Sequence, residues 1–576
     1  MNEEIKGKIR DLLAESLAAQ GLEARKEDIG LEHPMEMAHG DYSSNAALVL
    51  AKKAGKNPKE IASATAESVR ASLSAAAAKG EKPDIEKVEV AGPGFINFYL
   101  SAAFFEKGIA EILAGKSKPS NPELAGKKVM IEYTNPNPFK EFHIGHLMNN
   151  TIGEALSRII AGNGAKLIRA NYQGDVGPHV AKTIWALMQQ KVTTVKDTAE
   201  LGAAYAAGSQ AYEENPEAKK EIVAINKKVY EGSDAAVNSL YEQGRKISLD
   251  GFEKIYEKLG TKFDHYFFES KTWKPGKAIV EKHLADGIFE KSEGAVIYPG
   301  EKHGLHTRVF INSEGIPTYE AKELGLNQEK FAAVPDLDLS LIVAANEQNG
   351  YFQVVLRALS EIFPEIAKRT RHLSYGMLRF ASGKMSSRKG NVISAEALIA
   401  DIQKLVDEKI RDRELTDGEK ARISQAVAIA AIKYSILKQS VGKDIVFDLE
   451  KSISFEGDSG PYLQYAHTRA LSVLEKASRE KIAANPHAGN DALSTIEKLL
   501  CRCAEIAEYA SEELAPNLLL TYLTELAGAF NGYYAQNKIV DATDPNAPRR
   551  VAITAAFAAV MRNGLSLLAI EPLEKM

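Results

Sequence analysis

The chain has 576 residues, of which 45% are hydrophobic and 26% are charged, a composition typical of a globular protein with a large core. It carries 72 Lys and Arg against 77 Asp and Glu, so any nucleic-acid binding must depend on local basic surfaces rather than on the net charge of −5. The length predicts several domains, and the composition excludes collagen-like, disordered and disulfide-stabilised proteins.

The first residues, MNEEIKGKIRDLL, contain acidic side chains and lack the apolar region of a secretory signal. No apolar stretch approaches the roughly 20 residues that cross a bilayer. The two cysteines are too few for a disulfide framework or a four-thiolate zinc site, and they suit a reducing compartment. We therefore expect a cytoplasmic protein with no membrane partner.

Apolar residues recur at three- and four-residue steps from Ile5 to Leu17, which predicts an amphipathic helix at the start of the chain. Further on, KVEVAGPGFINFYL (Lys87 to Leu100) predicts two short strands around a Gly-Pro-Gly turn. The polar stretch from Gly115 to Lys128 is typical of a linker. These features predict an α+β N-terminal domain over residues 1–118.

The next segment predicts the start of a parallel sheet. A β-rich run at Val129 to Tyr133 precedes a Pro- and Asn-rich loop, a helix that stops at Asn163-Gly164, and a second strand at Leu167 to Tyr172. A strand, helix and strand in this order form a βαβ unit, whose strands run parallel. Later strands are predicted at Leu339 to Ala344 and at Leu373 to Leu378.

The predicted sheet belongs to an α/β domain over residues 125–400, and its charged segment at about 192–250 has the composition of a helical insertion. Strand signals almost vanish from Ser394 onward. We therefore expect a helical connector over residues 401–455 and an all-helical C-terminal domain over residues 456–576. The predicted fold class is multidomain α/β.

A first motif, His143-Ile144-Gly145-His146, lies between the first strand of the sheet and its helix. A helix N-terminus offers unpaired N–H groups and a partial positive charge, both suited to a triphosphate. Gly145 would let a nucleotide approach the backbone, and two imidazoles can donate hydrogen bonds to phosphate oxygens as charge develops there. Taken alone, the motif is equally compatible with a capping turn that carries two surface histidines.

A second motif, KMSSRKG (Lys384 to Gly390), follows a late strand in a stretch that carries seven Lys or Arg residues and no acid between Lys368 and Asn391. Such a loop can bind a pyrophosphate leaving group, because its charges gain most when the α–β phosphate bond breaks. Taken alone, a solvated basic loop would be the better interpretation.

Together the two motifs resemble the signature of class I aminoacyl-tRNA synthetases. Five further segments resemble the arginyl-tRNA synthetase form of that signature, and they occur in the order expected for this family: IEYTNPNPFKEFHIGHL (Ile131 to Leu147), NYQGDVG (Asn171 to Gly177), TYEAKEL (Thr318 to Leu324), EQNGYF (Glu347 to Phe352) and DSGPYLQYAHTR (Asp458 to Arg469). HGDYSSNAALVLAK (His39 to Lys52) and GPGFINFYL are similar to its N-terminal domain. The resemblance spans essentially the whole chain.

The resemblance implies a Rossmann-type parallel-sheet catalytic domain, an additional N-terminal domain that contacts tRNA and a helical anticodon-binding domain. It also implies an arginine–tRNA ligase that activates L-arginine with ATP, releases pyrophosphate and transfers the arginine to tRNA(Arg). Mg²⁺ is expected to arrive on the ATP phosphates, with no protein metal site and no tightly bound cofactor. No DNA partner is expected, and we expect a monomer.

Carried over by position, the resemblance also assigns site residues. The expected catalytic residues are His143, His146, Lys140 and Lys384. ATP binding is expected at His143, Gly145, His146, Lys384, Met385, Ser386 and Arg388, and arginine binding at Glu132, Asn135, Pro136, Asn137, His146, Tyr319, Glu323 and Gln348. The chemistry agrees, since a guanidinium has five fixed donors and a permanent charge and is best bound by a carboxylate beside a phenol or an amide.

Four positions depart from the family pattern. Glu323 stands where the family usually has Asp, and Ser387 stands where the class has a second Lys. His179 replaces an expected Gln, and Tyr351 replaces an expected His. Because the second Lys of the loop is missing, we expect Lys140 to share stabilisation of the pyrophosphate with Lys384.

Contacts to tRNA are expected at Asn97 and Tyr99 of the N-terminal domain and at Tyr462, Tyr465 and Tyr534 of the helical domain, where aromatic rings can stack on splayed bases. Each of these residues is also compatible with an ordinary structural role.

Two other functions remain open from the sequence. A small-molecule adenylate-forming or nucleotidyl-transfer enzyme would share the first motif, but it has no use for the helical C-terminal domain. A synthetase-like protein that binds RNA without catalysis would be expected to lose His143, His146 or Lys384, and all three are present.

Overall fold

The structure, a computed structural model, describes residues 2–80, 82–380, 393–440 and 442–576. No helix within these ranges is long and apolar enough to span a bilayer. The elements follow the chain as an N-terminal α+β region, a central α/β region and a helical C-terminal region.

The N-terminal region packs helices against a small antiparallel sheet with the strand order β1-β3-β2. Its apolar residues, such as Ile9 and Phe98, are fully buried between the sheet and the helices. The elements are α1 (Asn2–Ala18), β1 (Tyr42–Ser44), α2 (Ala46–Ala54), α3 (Pro58–Ala78), β2 (Ile85–Ala91), β3 (Phe95–Leu100) and α4 (Ala102–Leu113). The two strands predicted around the Gly-Pro-Gly turn are β2 and β3.

The central region starts with β4 (Lys128–Glu132), α5 (Ile144–Gly162), β5 (Lys166–Gln173) and α6 (Pro178–Gln189). The predicted βαβ unit is therefore present. Three helices follow in the segment predicted as a helical insertion: α7 (Thr198–Glu214), α8 (Pro216–Glu231) and α9 (Ala235–Leu259). Val129, Met130 and Ile131 are fully buried, as expected for a parallel strand that is covered on both faces.

The remaining elements of the central region include three strands of the main sheet, β6, β10 and β11. They are β6 (His265–Phe268), α10 (Glu269–Leu284), β7 (Glu290–Ser292), β8 (Ala295–Tyr298), β9 (Arg308–Ile311), α11 (Tyr319–Ala333), β10 (Leu339–Ala345), α12 (Asn349–Ile362), α13 (Pro364–Ala367), β11 (Thr370–Tyr375) and β12 (Leu378–Phe380).

Among the described residues, the main sheet has five parallel strands in the order β11-β10-β4-β5-β6. The chain runs outward from β4 through β5 to β6 and later returns to the other side of β4 as β10 and β11. The strand order therefore reverses between β4 and β10. In open α/β sheets, ligands bind beside the carboxyl ends of the strands at such a reversal.

The C-terminal region is a packed set of helices with one short strand, which pairs with β12. Its elements are α14 (Ala395–Ile410), α15 (Asp417–Leu437), β13 (Ile445–Phe447), α16 (Leu449–Ser452), α17 (Gly460–Arg479), α18 (Thr495–Glu512), α19 (Pro516–Gln536) and α20 (Ala547–Leu567). α15, α17, α19 and α20 share one apolar core with α5 of the central region.

Three strand predictions need correction. The strand predicted at Leu373 to Leu378 ends at Tyr375, because Gly376 packs so closely on the backbone of Lys443 that a Cβ there would lie 2.1 Å from its carbonyl oxygen. β6 and the antiparallel sheet of β7, β8 and β9 were not predicted. β13 lies in a segment predicted to be helical. All of these missed strands have only three or four residues, too few for a clear alternation of apolar side chains.

Candidate active site

A cavity of about 720 Å³ opens at the strand-order reversal, beside the carboxyl ends of β4 and β10. One end of the cavity is formed by the N-terminus of α5, and the other by buried carboxylates on α11 and β4. The predicted residues that line it are Glu132, Asn135, Asn137, His143, Gly145, His146, Tyr319, Glu323 and Gln348. The sheet therefore brings together segments that are far apart in the sequence, from Glu132 to Gln348.

The N-terminus of α5 is organised by its two histidines. His143 is the N-cap, and its Nδ1 accepts a hydrogen bond from the N–H of Gly145 at 3.1 Å. The Nδ1 of His146 accepts in turn from the N–H of His143 at 3.3 Å. The two rings stack with their centroids 3.7 Å apart. Backbone N–H groups thus fix both rings at the point where the helix dipole is positive.

Burial, together with the nearby charge of Lys140, lowers the pKa of His143 and lowers the pKa of His146 well below its usual range. Both rings are therefore neutral at pH 7. Since each Nδ1 accepts a hydrogen bond, the proton of each neutral ring lies on Nε2. The pair presents neutral N–H donors, which suit anionic phosphate oxygens.

Gly145 has a specific steric reason to be glycine. A Cβ at this position would lie 2.9 Å from Cε1 and 3.0 Å from Nδ1 of His143. Any larger residue would displace the ring of His143 from its cap. The glycine of the motif therefore preserves the histidine geometry, in addition to the nucleotide access expected from the sequence.

Two hydrogen bonds fix the side chain of Asn135, which lies in the loop after β4. Asn135 has a φ of 46°, in the left-handed region where Asn is tolerated better than most residues. Its Nδ2 donates to Oε1 of Glu132 at 2.8 Å, and its Oδ1 accepts from the N–H of Tyr172 at 2.9 Å. These bonds fix the loop at the carboxyl end of β4, where Asn137 also faces the cavity.

Three buried carboxylates that line the cavity have cationic partners. Lys330 forms an ion pair with Glu132. Nζ of Lys322 lies 2.6 Å from Oε2 of Glu269, and Nη1 of Arg308 lies 3.0 Å from Oε1 of Glu320. Buried charges require such compensation, because their hydration is lost.

Glu323 differs from these three acids. It is only 4% exposed, and the hydrogen bond described for its carboxylate comes from Nδ2 of Asn327 at 3.2 Å, a neutral donor. No Lys or Arg among the described residues forms an ion pair with it. Burial and the neighbouring charge of Glu132 raise the pKa of Glu323 to about 8. Among the described residues, the cavity therefore contains a buried acid that has no ion-pair partner.

Two of the predicted residues do not line the cavity. Pro136 is a buried residue of the loop after β4. Lys140 lies at the edge of the site, where its ammonium is 4.9 Å from the ring centroid of Tyr205 on α7. Its charge still reaches the histidines, since it contributes to their lowered pKa values.

Lys384, Met385, Ser386 and Arg388 lie outside the described residues. The described residues on both sides of that segment meet at the α5 end of the cavity. Leu378 lines the cavity, and the carbonyl of Ile393 accepts from the N–H of Ile144 at 3.1 Å. The N–H of Ala395 donates to the carbonyl of Phe142 at 2.8 Å.

Three family models match successive regions of the chain, and these regions correspond to its N-terminal, central and C-terminal parts. Residues 108–449, more than half of the chain, match the family model for the catalytic domain of class I (R) tRNA synthetases. Residues 3–100 match the arginyl tRNA synthetase N-terminal domain, and residues 463–576 match the DALR anticodon binding domain. The chain belongs to the arginyl-tRNA synthetase family.

Curated relatives agree with this family over their full lengths. The arginine–tRNA ligase of Clostridium perfringens is 31% identical to this chain over 95% of it and 96% of the relative. The arginine–tRNA ligase of Enterococcus faecalis is 30% identical over the whole of both chains. Among solved structures, the arginyl-tRNA synthetase of Thermus thermophilus superimposes with a TM-score of 0.76 over 99% of each chain at 24% identity. The predicted fold class is confirmed.

The N-terminal residues expected to contact tRNA are both engaged within the protein. Asn97 is only 4% exposed, and its Oδ1 accepts from Oγ of Ser43 at 2.7 Å. Tyr99 is half-buried, and its hydroxyl donates to Oε2 of Glu89 at 2.9 Å. Contact between Asn97 and tRNA stays a prediction, and the buried Asn97 side chain offers almost no surface for such a contact. The ring of Tyr99 is partly accessible.

The residues of the helical domain that were expected to contact tRNA form a cluster in this member of the arginyl-tRNA synthetase family. The guanidinium of Arg469 lies 4.8 Å from the ring centroid of Tyr465 and 5.4 Å from that of Tyr534, which is 43% exposed. Nδ2 of Asn531 donates to the hydroxyl of Tyr462 at 3.0 Å. α17 and α19 therefore present aromatic rings beside a cation on one surface.

Sequence reasoning missed the cations that balance the buried acids, namely Lys322, Lys330 and Arg308. One signal was available. Glu323, Asn327 and Lys330 are spaced by four and three residues, which places them on one face of α11. The partners of Glu269 and Glu320 could not be found in this way, because β6, β7, β8 and β9 were not predicted.

Proposed function

We propose that this protein is an arginine–tRNA ligase that activates L-arginine in the cavity between β4, β10 and the N-terminus of α5. The arginine carboxylate attacks the α-phosphate of ATP, so that a carboxylate–phosphate bond forms and pyrophosphate leaves. A ribose hydroxyl at the 3′ end of tRNA(Arg) then attacks the carbonyl of the arginyl adenylate, and AMP leaves. Mg²⁺ accompanies the ATP phosphates as part of the substrate complex. Both steps depend on positioning and charge stabilisation, since the substrate carboxylate is already a nucleophile.

The unpaired acid Glu323 carries this proposal. Each of the other three buried acids of the cavity has a cation from the protein, so Glu323 is the acid that a positively charged substrate can balance. Tyr319 and Gln348 line the same cavity and would supply a phenol and an amide. A guanidinium has donors for both kinds of group, whereas the ammonium of lysine is a compact point charge that suits such a planar arrangement less well.

The opposite end of the cavity suits ATP. The neutral Nε2–H donors of His143 and His146, which lie at the positive end of the α5 dipole, would bind phosphate oxygens beside Gly145. Lys140 and Lys384 would share the charge of the leaving pyrophosphate. For Lys384 the support is that the described residues on both sides of its segment lie at this end.

ATP–pyrophosphate exchange with each amino acid, with and without tRNA, tests the proposed activity. We expect exchange that requires arginine, and a tRNA requirement if the enzyme behaves like its family. Exchange with a different acid, independent of tRNA, would instead indicate a small-molecule adenylating enzyme. Loss of all exchange with retained tRNA binding would indicate an RNA-binding protein without catalysis.

The pKa of Glu323 leads to a pH dependence of arginine use. With a pKa of about 8, Glu323 is mostly protonated at pH 7 in the free enzyme, and guanidinium binding must release that proton. kcat/KM for arginine should rise about tenfold per pH unit below pH 8 and level off above it.

The KM for ATP is the control for this pH profile, because the lowered pKa values of both histidines keep them neutral throughout the range. The charges around Glu323 come from Glu132, Glu269 and Lys330. A flat profile for arginine across pH 6.5 to 9 (roughly the useful range for a pKa near 8) would show that Glu323 does not titrate in this way.

We further propose that Tyr462, Tyr465 and Tyr534 contact the tRNA on the helical domain and that the protein acts in the cytoplasm as a monomer. The support for the tRNA contacts is the cation-flanked aromatic cluster, since bases stack on aromatic rings and on guanidinium planes.

A further inference from the structure

Two helix starts line the arginine cavity. Tyr319 and Glu323 line it from the first turn of α11, and Gln348 and Tyr351 line it from the residues that open α12. Because both segments border the same cavity, the position of α11 relative to α12 helps to set the space in front of Glu323. Whatever fixes that position also decides which substrates fit.

Tyr351 joins the two segments through its hydroxyl, which donates a hydrogen bond to the main-chain carbonyl oxygen of Tyr319 at 3.2 Å. The same carbonyl closes the first turn of α11, since in an α-helix it accepts from the N–H of the residue four positions later, here Glu323. The bond from Tyr351 therefore acts on the turn that carries both the phenol of Tyr319 and the carboxylate of Glu323.

Arg308 reaches the same turn from β9, but in a different way. Its Nη1 lies 3.0 Å from Oε1 of Glu320, and its guanidinium lies 5.8 Å from the ring centroid of Tyr351. This ion pair ends on a flexible side chain, so the backbone of α11 can shift while the pair persists. The hydroxyl of Tyr351 bonds to the main chain and therefore fixes the backbone directly.

The phenol of Tyr351 stays a donor throughout the range in which Glu323 titrates. Burial, followed by the charges of Glu323 and Glu320, raises the pKa of Tyr351 well above its usual range. The hydroxyl therefore keeps its proton whether Glu323 is protonated or ionised. The position of α11 does not change with the protonation step that accompanies arginine binding.

We propose that Tyr351 is a positioning residue that determines how long a guanidinium-bearing side chain the pocket accepts. The inference rests on the proposed ligase function and concerns the same arginine pocket. With α11 fixed by Tyr351, the carboxylate of Glu323 lies where the side chain of arginine ends, and a side chain one methylene longer does not fit without bending. Loss of the bond gives the longer side chain room, while arginine loses a fixed partner.

The experiment compares L-arginine with L-homoarginine, whose side chain is one methylene longer, in ATP–pyrophosphate exchange in the presence of tRNA(Arg). The wild-type protein should prefer arginine on the order of a hundredfold in kcat/KM, within the range that one methylene produces in a fitted pocket. Tyr351→Phe removes only the hydroxyl and should reduce this preference to about tenfold. Its KM for ATP should stay at the wild-type value, because the change lies at the α11 end of the cavity.

Tyr298→Phe is the matched control. Tyr298 of β8 also donates its hydroxyl to a residue of α12, Oε1 of Glu361, at 3.1 Å. Neither Tyr298 nor Glu361 belongs to the described residues that line the arginine cavity. Tyr298→Phe therefore removes a hydroxyl bond to the same helix away from the substrate, and the preference for arginine should remain at the wild-type value.

An unchanged preference in Tyr351→Phe would overturn the proposal. An equal loss of kcat/KM for both amino acids would also overturn it, because that result indicates a general structural role. If Tyr351→Phe fails to fold, Tyr351→His replaces it, since the imidazole keeps an aromatic ring but ends closer to the backbone and should lower the preference in the same way.

The wild-type protein separates this proposal from the proposed function. If it shows no arginine-dependent exchange, the ligase function itself fails. If it uses arginine but Tyr351→Phe keeps the wild-type preference, only the role of Tyr351 fails. Equal use of arginine and homoarginine by the wild-type protein would likewise refute the role of Tyr351 and leave the ligase function intact.

Discussion

Replacing Glu323 by Gln is expected to lower kcat/KM for arginine by roughly a thousandfold at about pH 9, where the wild-type carboxylate with its pKa of about 8 is ionised. The side chains have nearly the same shape, and the bond from Asn327 can still be accepted by the amide oxygen, so folding should be preserved. What is lost is the charge that balances the guanidinium. Loss of one partner from a buried charge pair costs about 4 kcal/mol, which corresponds to that factor.

Glu329→Gln is the matched control, because Glu329 lies on the same helix but does not line the cavity. Its kcat/KM for arginine should stay near the wild-type value. The KM for ATP should change little in both variants. If Glu323→Gln retained arginine activation within about tenfold of wild type, the guanidinium would have to be bound by another acid, and the proposed orientation of arginine would be wrong.

The sheet could be predicted from sequence because long buried strands carry a clear signal. Val129, Met130 and Ile131 form an apolar run bounded by a polar linker and a Pro-rich loop, and the helix that begins at Ile144 repeats its apolar residues with helical spacing. Short strands such as β13 (Ile445–Phe447) carry too few residues to show a period. The strand order depends on contacts between distant segments, and it was not predicted.

The residues that line the site were predicted more completely than the ion pairs between them. Motif positions identified His143, Glu132 and Glu323, and all three line one cavity. The sequence could not show that Glu132 is balanced by Lys330, while Glu323 has no such partner in the part of the chain that the structure describes. Which of the two acids lies next to Lys330 depends on the orientation of α11 relative to β4, and tertiary packing sets that orientation. It is also the distinction that separates a structural acid from one available to substrate.

The position of Lys140 illustrates the same limit. The family resemblance and the missing second Lys of the basic loop led to the expectation that Lys140 lies beside the pyrophosphate. The structure places its ammonium against the ring of Tyr205, at the edge of the cavity. An ammonium over an aromatic face is stabilised but remains free to move to a stronger anionic partner. Tyr205 belongs to the helical insertion, so the insertion contacts this lysine, whose charge reaches the histidines of α5.

Replacing Lys140 by Ala is therefore expected to slow arginine-dependent pyrophosphate exchange on the order of a hundredfold, since a charge-assisted contact to a leaving group contributes about 3 kcal/mol to the transition state. The effect should appear mainly in kcat, because the contact strengthens as charge moves onto the pyrophosphate. Lys140→Arg keeps the charge and should recover most of the rate. Exchange by Lys140→Ala within a few-fold of wild type would assign the pyrophosphate charge to the basic loop alone, and Lys140 would then be only a contact between the loop after β4 and the insertion.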